Sequence, residues 1–304
     1  MPDLYPDVQI LPGSTSYFSE NQPGLDPHLF DEGGVLREEA RQELLSMLQN
    51  HLDARYAGAQ QWMRAWIAGS GVSYQWNPEV GDLDVLLGVD FTQFRAMNPG
   101  WDRMSDQEIA KEINQDLYED LRQDLWHGLW EVTFYVNPDS WDIRAINPYA
   151  AYDLINNDWT VPPSPGGAPK NKYWEEASAR DHAKANTIVG HYERALTALR
   201  GASNPAGRVN AERALQHSID QGIALFDSIH QGRKSSFSRV GAGYADWGNY
   251  RWQAGKASGV IPALRMLKQY REETKTREHV QTYGLELPST DTLIRRAAAR
   301  RVHR

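Results

Sequence analysis

Apolar residues at Leu36, Ala40, Leu44, Leu45, Leu48 and Leu52 recur at helical spacing, which predicts a helix with one buried stripe starting near Leu36. A second helix is predicted over Ala57 to Ile67, ending where Gly69, Ser70 and Gly71 make continuation costly. The run LDVLLGVD, Leu83 to Asp90, is short, apolar and bounded by turn residues, the description of a buried strand. From Ser105 to Trp126, Ile109, Ile113, Leu117 and Leu121 form another helical stripe, with Ser105 placed to cap it. Two strand-like runs follow, Trp130 to Val136 and Trp141 to Ile146, joined by Asn137-Pro138-Asp139-Ser140, a hairpin turn on its chemistry. Beyond the Pro- and Gly-rich stretch Val161 to Lys172 the pattern is helical over Trp174–Leu199, Ala206–His230 and Ser258–Tyr270. The first thirty-five residues, punctuated by Pro2, Pro6, Pro12, Pro23 and Pro27, show little periodicity and read as an irregular arm.

A chain of 304 residues suits two modest domains, and the Pro- and Gly-rich stretch marks the boundary between residues 36–160 and a helical domain over 173–304. Charge changes sign at the same place. Residues 1–160 hold 27 acids against 9 Lys and Arg, a net of −18, whereas 161–304 hold 13 acids against 23, a net of +10. That polarity suggests that the first half concentrates carboxylates and the second meets phosphates. With no cysteine, disulfide-linked partners, thiolate nucleophiles and Cys-held metals are excluded, so any metal is held by oxygen or imidazole. Nine histidines without HxxxH or HExxH spacing argue against zinc. No apolar run approaches the roughly 20 residues that cross a bilayer, and the N-terminus lacks a signal-like apolar core. A soluble protein of the cytoplasm is expected.

Asp82 and Asp84 stand two apart at the mouth of the predicted strand, so their side chains share one face while Leu83 and Val85 face the core. Paired carboxylates suit magnesium or manganese held between them. Read alone, the pair is more simply a turn end followed by an exposed strand residue. Gly69, Ser70 and Gly71 precede it by about a dozen positions, a small-residue turn whose amides and hydroxyl can approach a phosphate. Asp142, with Arg144 two residues later on WDIRAI, offers a third carboxylate, and three carboxylates around two cations serve phosphoryl transfer.

This order, Gly-Ser, then GDLDVLL, then a later Asp-hydrophobic-Arg, resembles the polymerase β-like nucleotidyltransferase superfamily. The segment DPHLFDEGGVLREEARQELL is similar to the entry helix of predicted bacteriophage-type nucleotidyltransferases. The likeness covers about residues 26–160. It implies an α+β fold with a small mixed sheet flanked by helices and followed by a mostly helical domain. It also implies two Mg²⁺ or Mn²⁺ ions and transfer of a nucleoside monophosphate from an NTP with release of pyrophosphate. Carried over by position, Asp82 and Asp84 would bind both cations, Asp142 would complete the metal site, and Gly69, Ser70 and Gly71 would hold phosphates. The chain departs from the pattern between Ser70 and Asp82, where Trp76 and Pro78 stand and the usual short polar or basic residue is missing. Gripping the triphosphate is therefore expected to lean on the second domain.

In that domain Arg233, Lys234, Ser235, Ser236 and Arg239 form a run of donors suited to polyphosphate, or else a solvated basic helix end. Tyr244, Trp247, Tyr250 and Trp252, with Lys256 nearby, can stack a base or form core. Arg295, Arg296, Arg300, Arg301 and Arg304 suit an RNA backbone or a charged tail. His230 reads as structural. The expected acceptor is an RNA or tRNA 3′ end, the alternatives being a small molecule, a protein, a second nucleotide, or nucleotide binding without turnover.

Overall fold

Helix α1 (Glu38–Arg55) carries the first stripe inward, with Leu44, Leu48 and Leu52 fully buried, in a computed structural model that describes residues 5–77 and 81–283. The helix starts at Glu38 because Leu36 is held in an antiparallel bridge with Phe30. Next come α2 (Ala59–Trp62), β1 (Met63–Ala68), β2 (Gly81–Val89), α3 (Phe91–Met97) and α4 (Asp106–Leu121). Strands β3 (Gln123–Trp126), β4 (Trp130–Val136), β5 (Ala151–Asp153) and β6 (Asp158–Val161) complete a six-stranded sheet in the order β3-β4-β2-β1-β5-β6. Only β2 and β4 run parallel; the other neighbours are antiparallel, so the sheet is mixed. One face packs Met63, Ala65, Ile67, Val85, Leu87 and Phe134 against α1 and α4. The other face carries a smaller cluster of Trp66, Ala68, Leu86 and Ala151, covered by Ile143 and Ile146.

Three expected elements differ, each because tertiary pairing outweighs local pattern. The helix predicted over Ala57–Ile67 is one helical turn followed by β1. From Ala65 onward that strand is buried on both faces, so its apolar residues show no alternation to betray it. The helix predicted to reach Trp126 stops at Leu121, and β3 turns back through His127 and Gly128, both at positive φ, to pair with β4. Its start is as expected, with Ser105 and Glu108 forming a reciprocal capping box. The third is the predicted strand Trp141–Ile146. Ser140 closes a turn on Asn137 O at 3.0 Å and donates through Oγ to Leu87 O at 3.2 Å. Asp142 then accepts from Arg144 N at 3.1 Å and caps a 3-10 helix, Ile143–Ile146.

The helical part comprises α5 (Lys172–Arg200), α6 (Pro205–Ser236), α7 (Trp247–Ala257) and α8 (Val260–Tyr283). Tyr192, Leu215, Ile219, Phe226, Ile229, Ile261, Leu264 and Leu267 form its core. By contact the chain divides into two compact units, with crossings at 15/16, 168/169, 236/237 and 244/245. Residues 5–15 of the predicted arm therefore belong to the helical unit, where Val8 is buried and Pro6 O accepts from Tyr192 Oη at 2.8 Å. Residues 16–168 and the short segment 237–244 belong to the sheet unit. Among the described residues no helix is long and apolar enough to cross a membrane. Arg295, Arg296, Arg300, Arg301 and Arg304 lie outside the described residues.

His51 on α1 is buried at 7% exposure, and its Nε2 has no hydrogen-bond partner among the described residues. Burial, then the Arg55 guanidinium, push its pKa below the usual histidine value against the weaker pull of Asp120 and Asp116. The unfolded chain thus takes up this proton first as pH falls. His51 stabilises the fold fully above about pH 6.5 and progressively less as pH drops from there toward the folded-state value. His230, also depressed by burial, acts in the same direction. In thermal melts from pH 7.5 to 5, His51→Gln should lose less stability than the wild-type chain, and parallel pH profiles would refute this account.

Candidate active site

The turn Gly69-Ser70-Gly71 follows β1 directly and opens a 3-10 turn, Ser70–Val72, before the chain returns in β2. Because β1 and β2 pair with Ala68 opposite Asp84, the turn is carried to the head of the aspartate strand. Gly69 has φ +89°, and a Cβ there would stand 3.3 Å from Asp84 Oδ2. A Cβ on Gly71 would meet Asp82 O at 2.8 Å, so the turn lies against the β2 backbone at the motif itself. Small residues are required here both by conformation and by approach.

Along β2, Asp82 is exposed and Asp84 half-buried, while Leu83 and Val85 are fully buried, as the alternation predicts. On the parallel neighbour β4, Glu131 stands opposite Asp82 and Thr133 opposite Asp84, and Thr133 Oγ1 donates to Asp84 Oδ1 at 3.2 Å. Glu131 therefore shares the face of both aspartates; its carboxylate pairs with Arg122 at 3.0 Å. Neither Glu131 nor Thr133 was singled out from the sequence. The signal was present in WEVTFYV, whose buried and half-buried positions alternate and put Glu131, Thr133 and Tyr135 on one side.

Asp142 is not on a strand beside β2. It follows the Ser140 turn, which is anchored to Leu87, about 10 Å along β2 from Asp84 at roughly 3.3 Å per residue. The neighbouring Trp141 O accepts from Arg64, which pairs with Gly88. Asp142 is itself exposed and ion-paired with Arg144 at 3.2 Å, so Arg144 answers that carboxylate. Among the described residues no group of three His, Asp or Glu is gathered as a metal cage.

The donor run expected after α6 is divided. Arg233, Lys234 and Ser235 lie in the helical unit, and Arg239 lies in the sheet unit, paired with Asp139 at 3.3 Å. Helix α6 continues to Ser236, which spreads these residues around its circumference. Ser236 is buried and donates to Asp246 at 2.8 Å, while the Arg233 guanidinium lies 5.4 Å from the Trp252 ring centre. Tyr250 and Trp252 are buried, and Trp247 and Tyr250 cluster with Trp174, so these rings are packing elements. Tyr244 belongs to the sheet unit and stacks on Tyr149 at 4.3 Å.

Chemically, the face offers two aspartates and a glutamate beside a glycine turn with backbone donors. No family model, curated protein or solved structure matches the chain.

Proposed function

We propose that this chain is a divalent-metal-dependent nucleotidyltransferase that moves a nucleoside monophosphate from an NTP to an acceptor hydroxyl and releases pyrophosphate. The observation that carries the reading is the Gly69–Gly71 turn seated against Asp84 at the head of β2. The donor set fits magnesium or manganese, which keep several waters and take one or two carboxylates plus phosphate oxygens rather than a full protein cage. Asp82 and Asp84 would hold the cations, with Glu131, rather than Asp142, as the third carboxylate on that face. When bound, the ions neutralise phosphate charge and make the acceptor hydroxyl more acidic. The chain's own contribution is to present the turn's amides and the Ser70 hydroxyl to phosphate oxygens and to fix the carboxylates by the β2–β4 pairing.

An RNA or tRNA 3′ end is the acceptor favoured by the +10 charge of residues 161–304, with Arg233, Lys234 and Ser235 among its candidate phosphate donors. A small molecule or second nucleotide is the second reading, favoured by the −18 charge of the half that carries the site, which repels a polyanion. Pyrophosphate release measured with each NTP, Mg²⁺ or Mn²⁺, and total tRNA tests both. Metal-dependent release that tRNA stimulates, steeply weakened between 50 and 200 mM salt in the manner of phosphate contacts, is the expected result. Salt-insensitive release without tRNA selects the small acceptor. Tight nucleotide binding with no release under any metal or acceptor makes this a binding protein and overturns the enzymatic reading.

A further inference from the structure

We propose that Ser73, Gln75 and Tyr244 form a buried positioning relay that sets the aim of the phosphate-facing turn, an inference that rests on the reading of that turn as the triphosphate holder. Ser70 O accepts two hydrogen bonds from Ser73, from its N–H at 3.0 Å and its Oγ at 2.8 Å. Ser73 Oγ in turn accepts from Gln75 N at 3.1 Å. Gln75 is 1% exposed, with Nε2 donating to Tyr17 O at 3.0 Å and Oε1 accepting from the Tyr244 hydroxyl. Tyr244 is fixed on its other sides: its N–H donates to Asn147 O at 3.1 Å, its carbonyl accepts from Tyr17 Oη at 3.0 Å, and its ring stacks on Tyr149. Burial raises the Tyr244 phenol well above its ordinary pKa and keeps it protonated as a donor.

Three separate stretches of chain thus converge behind the turn. Their effect follows from the planarity of the peptide group. In a trans peptide the carbonyl of Ser70 and the N–H of Gly71 point in opposite directions. Two bonds that pull Ser70 O toward Ser73 therefore turn the Gly71 N–H the other way, as an anion-binding turn requires. A packed apolar plug would support the loop equally well, whereas a continuous and satisfied polar network specifies one peptide orientation.

Ser73→Ala and Tyr244→Phe each delete one hydroxyl and keep the surrounding shape. Each should raise KM for the NTP, and Kd for Mg²⁺ with inorganic triphosphate, about three- to tenfold. The value of kcat should stay within about twofold and the thermal midpoint within a few degrees, a split that a merely structural role would not produce. Unchanged KM and Kd in both variants, with wild-type chain active, would overturn the relay alone. A wild-type chain that neither binds triphosphate nor releases pyrophosphate would instead overturn the reading of the site, and the relay with it.

Discussion

Asp84→Asn should lower pyrophosphate release by about 10²- to 10³-fold or more, the loss that accompanies removal of a group stabilising charge in the transition state. The substitution keeps the shape and an oxygen able to accept from Thr133, so what is lost is the negative charge beside the Gly69 turn. The same variant should melt at an equal or higher temperature than wild type when no divalent ion is present. Asp82 and Asp84 share one face, and like charges two residues apart on a strand repel until a cation lies between them. Function and stability are thus expected to move in opposite directions at this residue. Asp142→Asn provides the contrast. Asparagine caps a helix as well as aspartate does, and Asp142 stands past the far end of β4, so activity should stay within about threefold. A collapse of activity in Asp142→Asn as deep as that in Asp84→Asn would return the third-carboxylate role from Glu131 to Asp142.

The second large effect is expected at Gly243. Its φ is +62°, and a Cβ there would come within 1.9 Å of Asn147 O and 2.6 Å of Ile146 O, both backbone atoms that no rotamer change can clear. The left-handed conformation alone costs a non-glycine residue about 1–2 kcal/mol. The overlap additionally forces the 237–244 segment off the 3-10 helix, breaking the bond from Tyr244 N to Asn147 O. Gly243→Ala should therefore destabilise the sheet unit by roughly 3–5 kcal/mol, a drop of about 6–20 °C in its calorimetric midpoint. Gly128 isolates the conformational part, since its φ is +73° but nothing lies within 4 Å of its Cβ position. Gly128→Ala should cost about 1–2 kcal/mol. Equal losses at the two positions would mean that the close approach at Gly243 contributes nothing.

What could be read along the chain depended on how local the cause was. Helices α1, α5 and α6 announce themselves because an exposed helix shows its buried stripe as a period of three and four, and Ser105 declares α4 through a cap made within three residues. Strand β2 was legible for a different reason: one apolar run with two aspartates in alternation needs no partner to be recognised. Strand β1 was not, because Met63, Ala65 and Ile67 serve one face while Trp66 and Ala68 serve the other, leaving Arg64 as a single polar position, too few to mark a period. Asp142 was misplaced because a strand and a capped 3-10 turn both suit WDIRAI until Ser140 meets Leu87.

By itself the sequence determined the helices of the second half, the Gly-Ser turn and the aspartate pair, since each rests on neighbours in the chain, while the α+β class came only as what the resemblance implied. Tertiary structure alone decided that Glu131 and Thr133 stand beside those aspartates, because strand register is settled by pairing between segments some fifty residues apart. It alone joined Gln75 to Tyr244, 169 positions away. A hydrogen bond across such a distance leaves no period or spacing in the sequence; it exists only once the sheet and its covering segments have packed.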